Sequence, residues 1–191
     1  TRSYSSAASD VYKRQELFEI DALDLSVKRI LSLDNNSNYR NAMHHSKVKP
    51  TWVTPHPNGK KLYIAGNGSD EIFVVDLESF SVEDKLSSGK GPYNLAISPD
   101  GKILLATLKS EGAVSIWSLK NNKLLKKIKN TTSIPHGVVI SPDNKYAFVS
   151  VEGVGGDPGK VDVINLETLS LQGSINVGKQ AGGIAFWKIE Q

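Results

Sequence analysis

The sequence contains no cysteine, which removes disulfide bridges and thiolate metal sites from consideration. It has one methionine, Met43, and aromatic residues make up only 7% of the chain. No apolar run approaches the roughly 18 residues that a membrane-spanning helix needs. Several chemical signatures are also missing: a Gly-x-Ser-x-Gly elbow, a zinc-protease helix, a dinucleotide-binding glycine fingerprint, and the Gly-Lys-Ser/Thr of a phosphate loop. No catalytic constellation stands out. The formal charge of +3 shrinks on inspection, because Arg2, Lys13 and Arg14 against Asp10 supply +2 of it in the first fifteen residues. A net of +1 from residue 16 onward is no argument for a nucleic-acid partner.

Residues 5–15 read SSAASDVYKRQ and resemble the translation of a sequencing adapter, so 1–15 is set aside from fold reasoning as a disordered tail. The chain does not begin with methionine, and the reading expects a fragment lacking its true N-terminal part.

What the sequence does contain is a repeated turn. His56-Pro57-Asn58-Gly59-Lys60, Ser98-Pro99-Asp100-Gly101-Lys102 and Ser141-Pro142-Asp143-Asn144-Lys145 place their prolines 42 and then 43 residues apart. Proline presets φ for the second position of a type I turn, and glycine, or asparagine after it, accepts the positive φ that closes a bulged hairpin. Each turn follows a small-residue strand and precedes an apolar run. A period near 42 residues with one such turn per period marks a repeat architecture.

The units give four short strands each. In the second unit they are Tyr93 to Ile97, Ile103 to Ala106, Val114 to Trp117 and Lys123 to Ile128. Runs without strict alternation indicate sheets covered on both faces. Four strands per unit, small residues on the first, and both faces buried predict propeller blades. The fold class expected is all-β, a partial β-propeller: an outer half-blade in 16–49, three four-stranded blades at 50–91, 92–134 and 135–180, and a lone inner strand at 181–187. Residues 32–49 hold an insertion relative to the next unit, with Met43, His44 and His45.

The units resemble the YVTN-type seven-bladed propeller repeat, of the YncE-like and surface-layer kind. The resemblance rests on Ser98-Pro99-Asp100-Gly101-Lys102, Leu62-Tyr63-Ile64-Ala65, Asn67-Gly68-Ser69-Asp70, Val74-Val75-Asp76-Leu77, Val177-Gly178 and Pro135-His136-Gly137. It implies export to the periplasm or cell surface, a monomer when full length, and a non-enzymatic module that binds a protein or small ligand through its rim and central channel. A related possibility is a lactonase-like hydrolase or haem-associated oxidoreductase with its site at the channel mouth. Fold alone transfers none of these functions. No cofactor, nucleic-acid partner or membrane span is expected.

Blade-to-blade links and the links between second and third strands project from one face. The candidate ligand-binding residues His44, His45, Tyr93, His136, Glu152 and Asp157 then share one rim. They are either a metal or acid–base cluster or polar loops beside a strand-start histidine. The glycine-rich stretch 152–159 lacks the acidic spacing of a calcium loop and reads as a permissive connection. Five lysines at 120, 123, 126, 127 and 129 fall on an outermost strand, where lysine blocks edge-to-edge pairing. The alternative, a patch for acidic partners or nucleic acid, has no interleaved aromatics to support it. Asp21, Asp76, Ser118 and Asn165 form a column of side chains suited to bonding the turn that follows each third strand.

Overall fold

The structure, a computed structural model, describes residues 3–5, 16–34 and 47–188. Among these residues there is no helix, and hence none long and apolar enough to cross a membrane. The chain forms a series of antiparallel sheets in strict chain order. The first contains β1 (Ser3–Ser5), β2 (Glu16–Ile20) and β3 (Val27–Ser32). Three four-stranded sheets follow. The first blade is β4 (Pro50–Pro55), β5 (Lys61–Gly66), β6 (Glu71–Asp76) and β7 (Ser81–Ser87). The second is β8 (Pro92–Ile97), β9 (Ile103–Leu108), β10 (Ala113–Ser118) and β11 (Lys123–Lys129). The third is β12 (Ile134–Ile140), β13 (Tyr146–Glu152), β14 (Lys160–Asn165) and β15 (Ser170–Asn176). No strand crosses between sheets, so each blade is a meander built from local turns. The all-β partial propeller is the observed fold.

The turns act as their residues dictate. Gly59, Gly101 and Asn144 have φ of +70°, +72° and +61° at the same place in the three first hairpins. In the second, Ser98 Oγ accepts from the N–H groups of Lys102 and Ile103, and the Gly101 N–H donates to Ser98 O at 2.8 Å. At the third-strand ends, the Asp21, Asp76 and Asn165 side chains accept backbone N–H groups of the next turn at 2.8–2.9 Å. Three members of that column of four therefore have the structural role expected. The ends of these turns share a left-handed residue as well. Leu25, Phe80, Asn122 and Leu169 all take φ of +50° to +59° there, and a β-bulge follows in every third-to-fourth strand pair.

Packing explains the unbroken apolar runs. Along β5, Leu62 and Ile64 face a cluster with Leu17, Leu33, Phe73 and Val75, while Tyr63 and Ala65 face another with Leu95, Leu104, Ala106 and Trp117. A third cluster joins Leu105, Val114 and Ile116 to Val138, Val149 and Ile164. Each interface between neighbouring sheets thus has its own core, and alternate residues of one strand serve two cores. Burying one such side chain stabilises by about 1.5–3 kcal/mol.

Hydroxyl groups tie the inner strands together. Thr51 Oγ1 donates to Tyr93 O at 2.7 Å and Thr54 Oγ1 to Leu95 O at 3.0 Å, fastening β4 to β8. Thr107 Oγ1 donates to His136 O at 2.9 Å and accepts the Asn94 N–H at 3.0 Å. Ser150, at the equivalent position one blade on, donates to Gly182 O. Residues 181–188 therefore lie where a further inner strand belongs, with Phe186 packed against Phe148 at 6.1 Å between ring centroids. They form no strand, because an inner strand gains its ladder from the second strand of its own blade, and the described residues supply none there. Thr107→Val keeps the shape but removes the link to His136 O and the acceptor for Asn94. We expect it to lower unfolding free energy by about 1–2 kcal/mol, measured by urea denaturation.

Candidate functional site

Two columns of side chains step round the ends of the inner strands. One lies at the start of each first strand: Thr51, Tyr93 and His136. The other lies just beyond or at the end of each second strand: Asn67, Lys109 and Glu152. Both columns advance by 42 and then 43 residues, the period of the turns. Neighbouring blades therefore bring unlike members of the two columns together on one face.

The outcome is a four-residue group across the second and third blades. The Tyr93 and His136 rings meet edge to face with centroids 4.6 Å apart. Lys109 Nζ sits 4.6 Å from the centre of the Tyr93 ring and 3.8 Å from Glu152 Oε1. His136 Nε2 lies 3.2 Å from the same Glu152 oxygen. The Lys109, His136 and Glu152 side chains are 33%, 24% and 25% exposed, so the group is reachable from solvent yet partly shielded. Its base is rigid: the His136 carbonyl is held by Thr107, and the Gly137 N–H donates to Ser150 Oγ at 2.9 Å.

Burial holds the His136 pKa below its ordinary 6.5, the Lys109 ammonium pushes the same way, and Glu152 opposes both. With its pKa held below 6.5 the ring is mostly uncharged at neutral pH, Nε2 is the nitrogen that faces Glu152, 3.2 Å from Oε1, and one ring nitrogen keeps a lone pair. The group can hold an anionic or carbonyl oxygen against Lys109, offer the Tyr93 face to a ligand's apolar side, and accept a proton on that ring nitrogen. A histidine whose pKa is depressed by folding binds protons more readily in the unfolded chain. Its contribution to stability is therefore full above the ordinary value of 6.5 and is lost as pH falls through the lower folded value. His136→Asn should flatten this part of the stability profile between pH 7.5 and pH 5, as urea midpoints would report.

Of the six residues expected at this rim, the structure brings together Tyr93, His136 and Glu152. Asp157 lies exposed in the connection after β13, where its N–H bonds Val154 O, and no hydrogen bond or ion pair joins its carboxylate to the group. His44 and His45 lie outside the described residues. Among the described residues no three His, Asp or Glu side chains gather in a metal-binding group. The member that sequence reasoning missed is Lys109. Its signal was present, because it stands one period before Glu152.

Comparison with known proteins supports the architecture. The family model described as lactonase, 7-bladed beta-propeller, matches residues 16–142. Among curated proteins, the chain is 32% identical over 90 residues to Protein groucho of Drosophila melanogaster, covering 46% of this chain and 12% of that protein. It is 29% identical over 103 residues to Antigen Lp49 of Leptospira interrogans, covering 47% and 23%. The chain thus spans about a quarter or less of the length of these relatives. Among solved structures, Kuenenia stuttgartiensis hydrazine synthase superposes with a TM-score of 0.66 at 25% identity, over 74% of this chain and 40% of that one. The WD40 repeats of RRP9 superpose with a TM-score of 0.63 at 17% identity, over 72% and 42%, a likeness of fold alone.

Proposed function

Because the chain belongs to the lactonase, seven-bladed β-propeller family, we propose that it is a propeller binding module whose ligand sits at the ends of the inner strands, on Tyr93, Lys109, His136 and Glu152. One observation carries this reading. The Lys109 ammonium is held between an aromatic face at 4.6 Å and a carboxylate 3.8 Å away on the neighbouring blade, and it remains a third exposed. A ligand with a carboxylate or carbonyl oxygen and an adjoining apolar surface can take over part of that coordination. Such a site recognises small oxygen-rich ligands or the acidic end of a protein segment.

The second reading is hydrolysis of a lactone, favoured by the family match and by a His136 of lowered pKa whose Nε2 lies 3.2 Å from the Glu152 carboxylate. In that case Lys109 holds the carbonyl oxygen of the ring ester. The unprotonated ring nitrogen of His136 takes the proton from the attacking water, the carbon–oxygen bond of the ring opens, and the proton passes to the leaving oxygen. We further place the protein among YncE-like propellers of the periplasm or cell surface. The sequence resemblance supports that placement, and fractionation of cells expressing the full-length protein tests it.

Calorimetry with glucono-δ-lactone and with gluconate separates the two functional readings. A binding module takes up one or both without turnover, and Lys109→Met weakens uptake roughly tenfold, the usual worth of one charge-assisted contact. Ring opening above the spontaneous rate, abolished by His136→Asn, establishes the hydrolase. Uptake unchanged in Lys109→Met removes the site.

A further inference from the structure

The second blade presents an outer edge unlike those of its neighbours. β11 ends its sheet, so one side of its backbone has no strand partner. Residues 120–129 hold five lysines and no carboxylate. Only Lys127 is neutralised, by Glu111 at 2.7 Å, while Lys120, Lys123, Lys126 and Lys129 form no ion pair among the described residues. The equivalent edges differ. In β7, Lys85 faces Glu71 at 3.8 Å and Glu83 pairs with Lys61 at 2.8 Å. In β3, Lys28 lies 3.4 Å from Asp21, and Arg29 pairs with Glu19. In β15 there is no charged residue at all. Charge is one of several ways to protect an open edge, and β15 does without any. Three unbalanced lysines on this single edge, with Lys120 in the turn that leads into it, set it apart from its neighbours.

The same strand exposes Leu124 at 36% and Leu125 at 42%. We infer that the β11 edge binds an extended acidic polypeptide segment by strand addition, its carboxylates meeting Lys123 and Lys126 on one face and its apolar side chains meeting Leu124 on the other, with Lys129 adding to the positive field at the end of the strand. Backbone bonds along an open edge supply affinity in this mode, and side chains on alternate positions supply selection. Seven strand residues span about 23 Å, so a segment of seven to nine residues fits. The exposed Leu124 favours a peptide over a nucleic acid, which would call for aromatic stacking partners that this strand lacks. This surface lies on the circumference and does not depend on the group at the inner-strand ends.

The test uses the whole chain and a fluorescent nine-residue peptide of alternating Glu and Val, followed by anisotropy. Binding that weakens with salt is expected, and the triple variant Lys123→Glu/Lys126→Glu/Lys129→Glu should lose it by roughly tenfold or more. That variant keeps charge on the edge, so protection against self-pairing persists, and it should now bind a Lys-Val peptide that the parent chain ignores. Should the variant fail to fold, hydrogen exchange on the unmodified chain decides: bound peptide must slow the outward-facing β11 amides. Absence of binding, binding untouched by charge reversal, no added protection of β11, or tighter binding of a single-stranded oligonucleotide would each overturn the inference.

Discussion

Asp162→Ala should lower the unfolding free energy by about 3 kcal/mol, whereas Asp162→Asn should cost only about 1. Asp162 lies on β14 and is fully buried. Its Oδ2 accepts the Asn130 side-chain amide at 3.0 Å and the Thr131 N–H at 2.9 Å, and its Oδ1 accepts the Thr131 hydroxyl at 2.5 Å. These donors belong to the link between the second and third blades. Alanine leaves the Asn130 amide and the Thr131 N–H without their acceptor, and Asn130 is itself buried, so water cannot replace the lost acceptor cheaply. Asparagine can present its oxygen to the two N–H groups and its amide to the Thr131 hydroxyl. The contrast between the two substitutions, read from denaturant midpoints, separates loss of hydrogen bonding from loss of packing. Equal costs would show that the bonds contribute little.

Phe73→Ala should cost about 3–5 kcal/mol. Phe73 occupies the same place in β6 that Asp162 occupies in β14, and it too is fully buried. It fills the core between the first sheet and the first blade, beside Leu17, Leu62 and Val75, with Lys85 Nζ 4.7 Å from its ring centre. In β10 the equivalent residue is Ser115, whose hydroxyl accepts Trp117 Nε1–H at 3.1 Å. One column thus carries three solutions to one problem: an aromatic ring, a hydroxyl under an indole, and a carboxylate under a polar link. Phe73→Leu should recover more than half of the loss by refilling most of the space. Thermal or urea unfolding of both variants measures this, and a small effect of Phe73→Ala would mean that the interface collapses around the gap.

These columns show what was legible in the sequence and what was not. The three Pro-Asx turns have a chemistry that local residues determine, so their spacing revealed the blades and the order of strands within them. The same spacing brought Tyr93, His136 and Glu152 to one rim. Lys109 escaped because a lysine after an apolar strand looks like ordinary solvated surface, and only alignment with Asn67 and Glu152 singles it out. Asp162 escaped because its repeat equivalents are Phe73 and Ser115, so periodicity argued against a buried carboxylate there. The hydroxyl links of Thr107 and Ser150 depend on how closely neighbouring inner strands approach, a distance that no single-strand pattern encodes. The segment 181–187 has the composition of an inner strand and lies in its place, but a ladder requires a partner that composition cannot supply.

The repeat assembles Tyr93, Lys109, His136 and Glu152 from two blades into one electrostatically coupled group. Following the His136 ring by NMR through a pH titration tests it directly. Lys109→Met should raise the His136 pKa and Glu152→Gln should lower it, because the lysine opposes and the carboxylate favours the protonated ring. A His136 titration identical in the parent chain and in both variants would contradict the account.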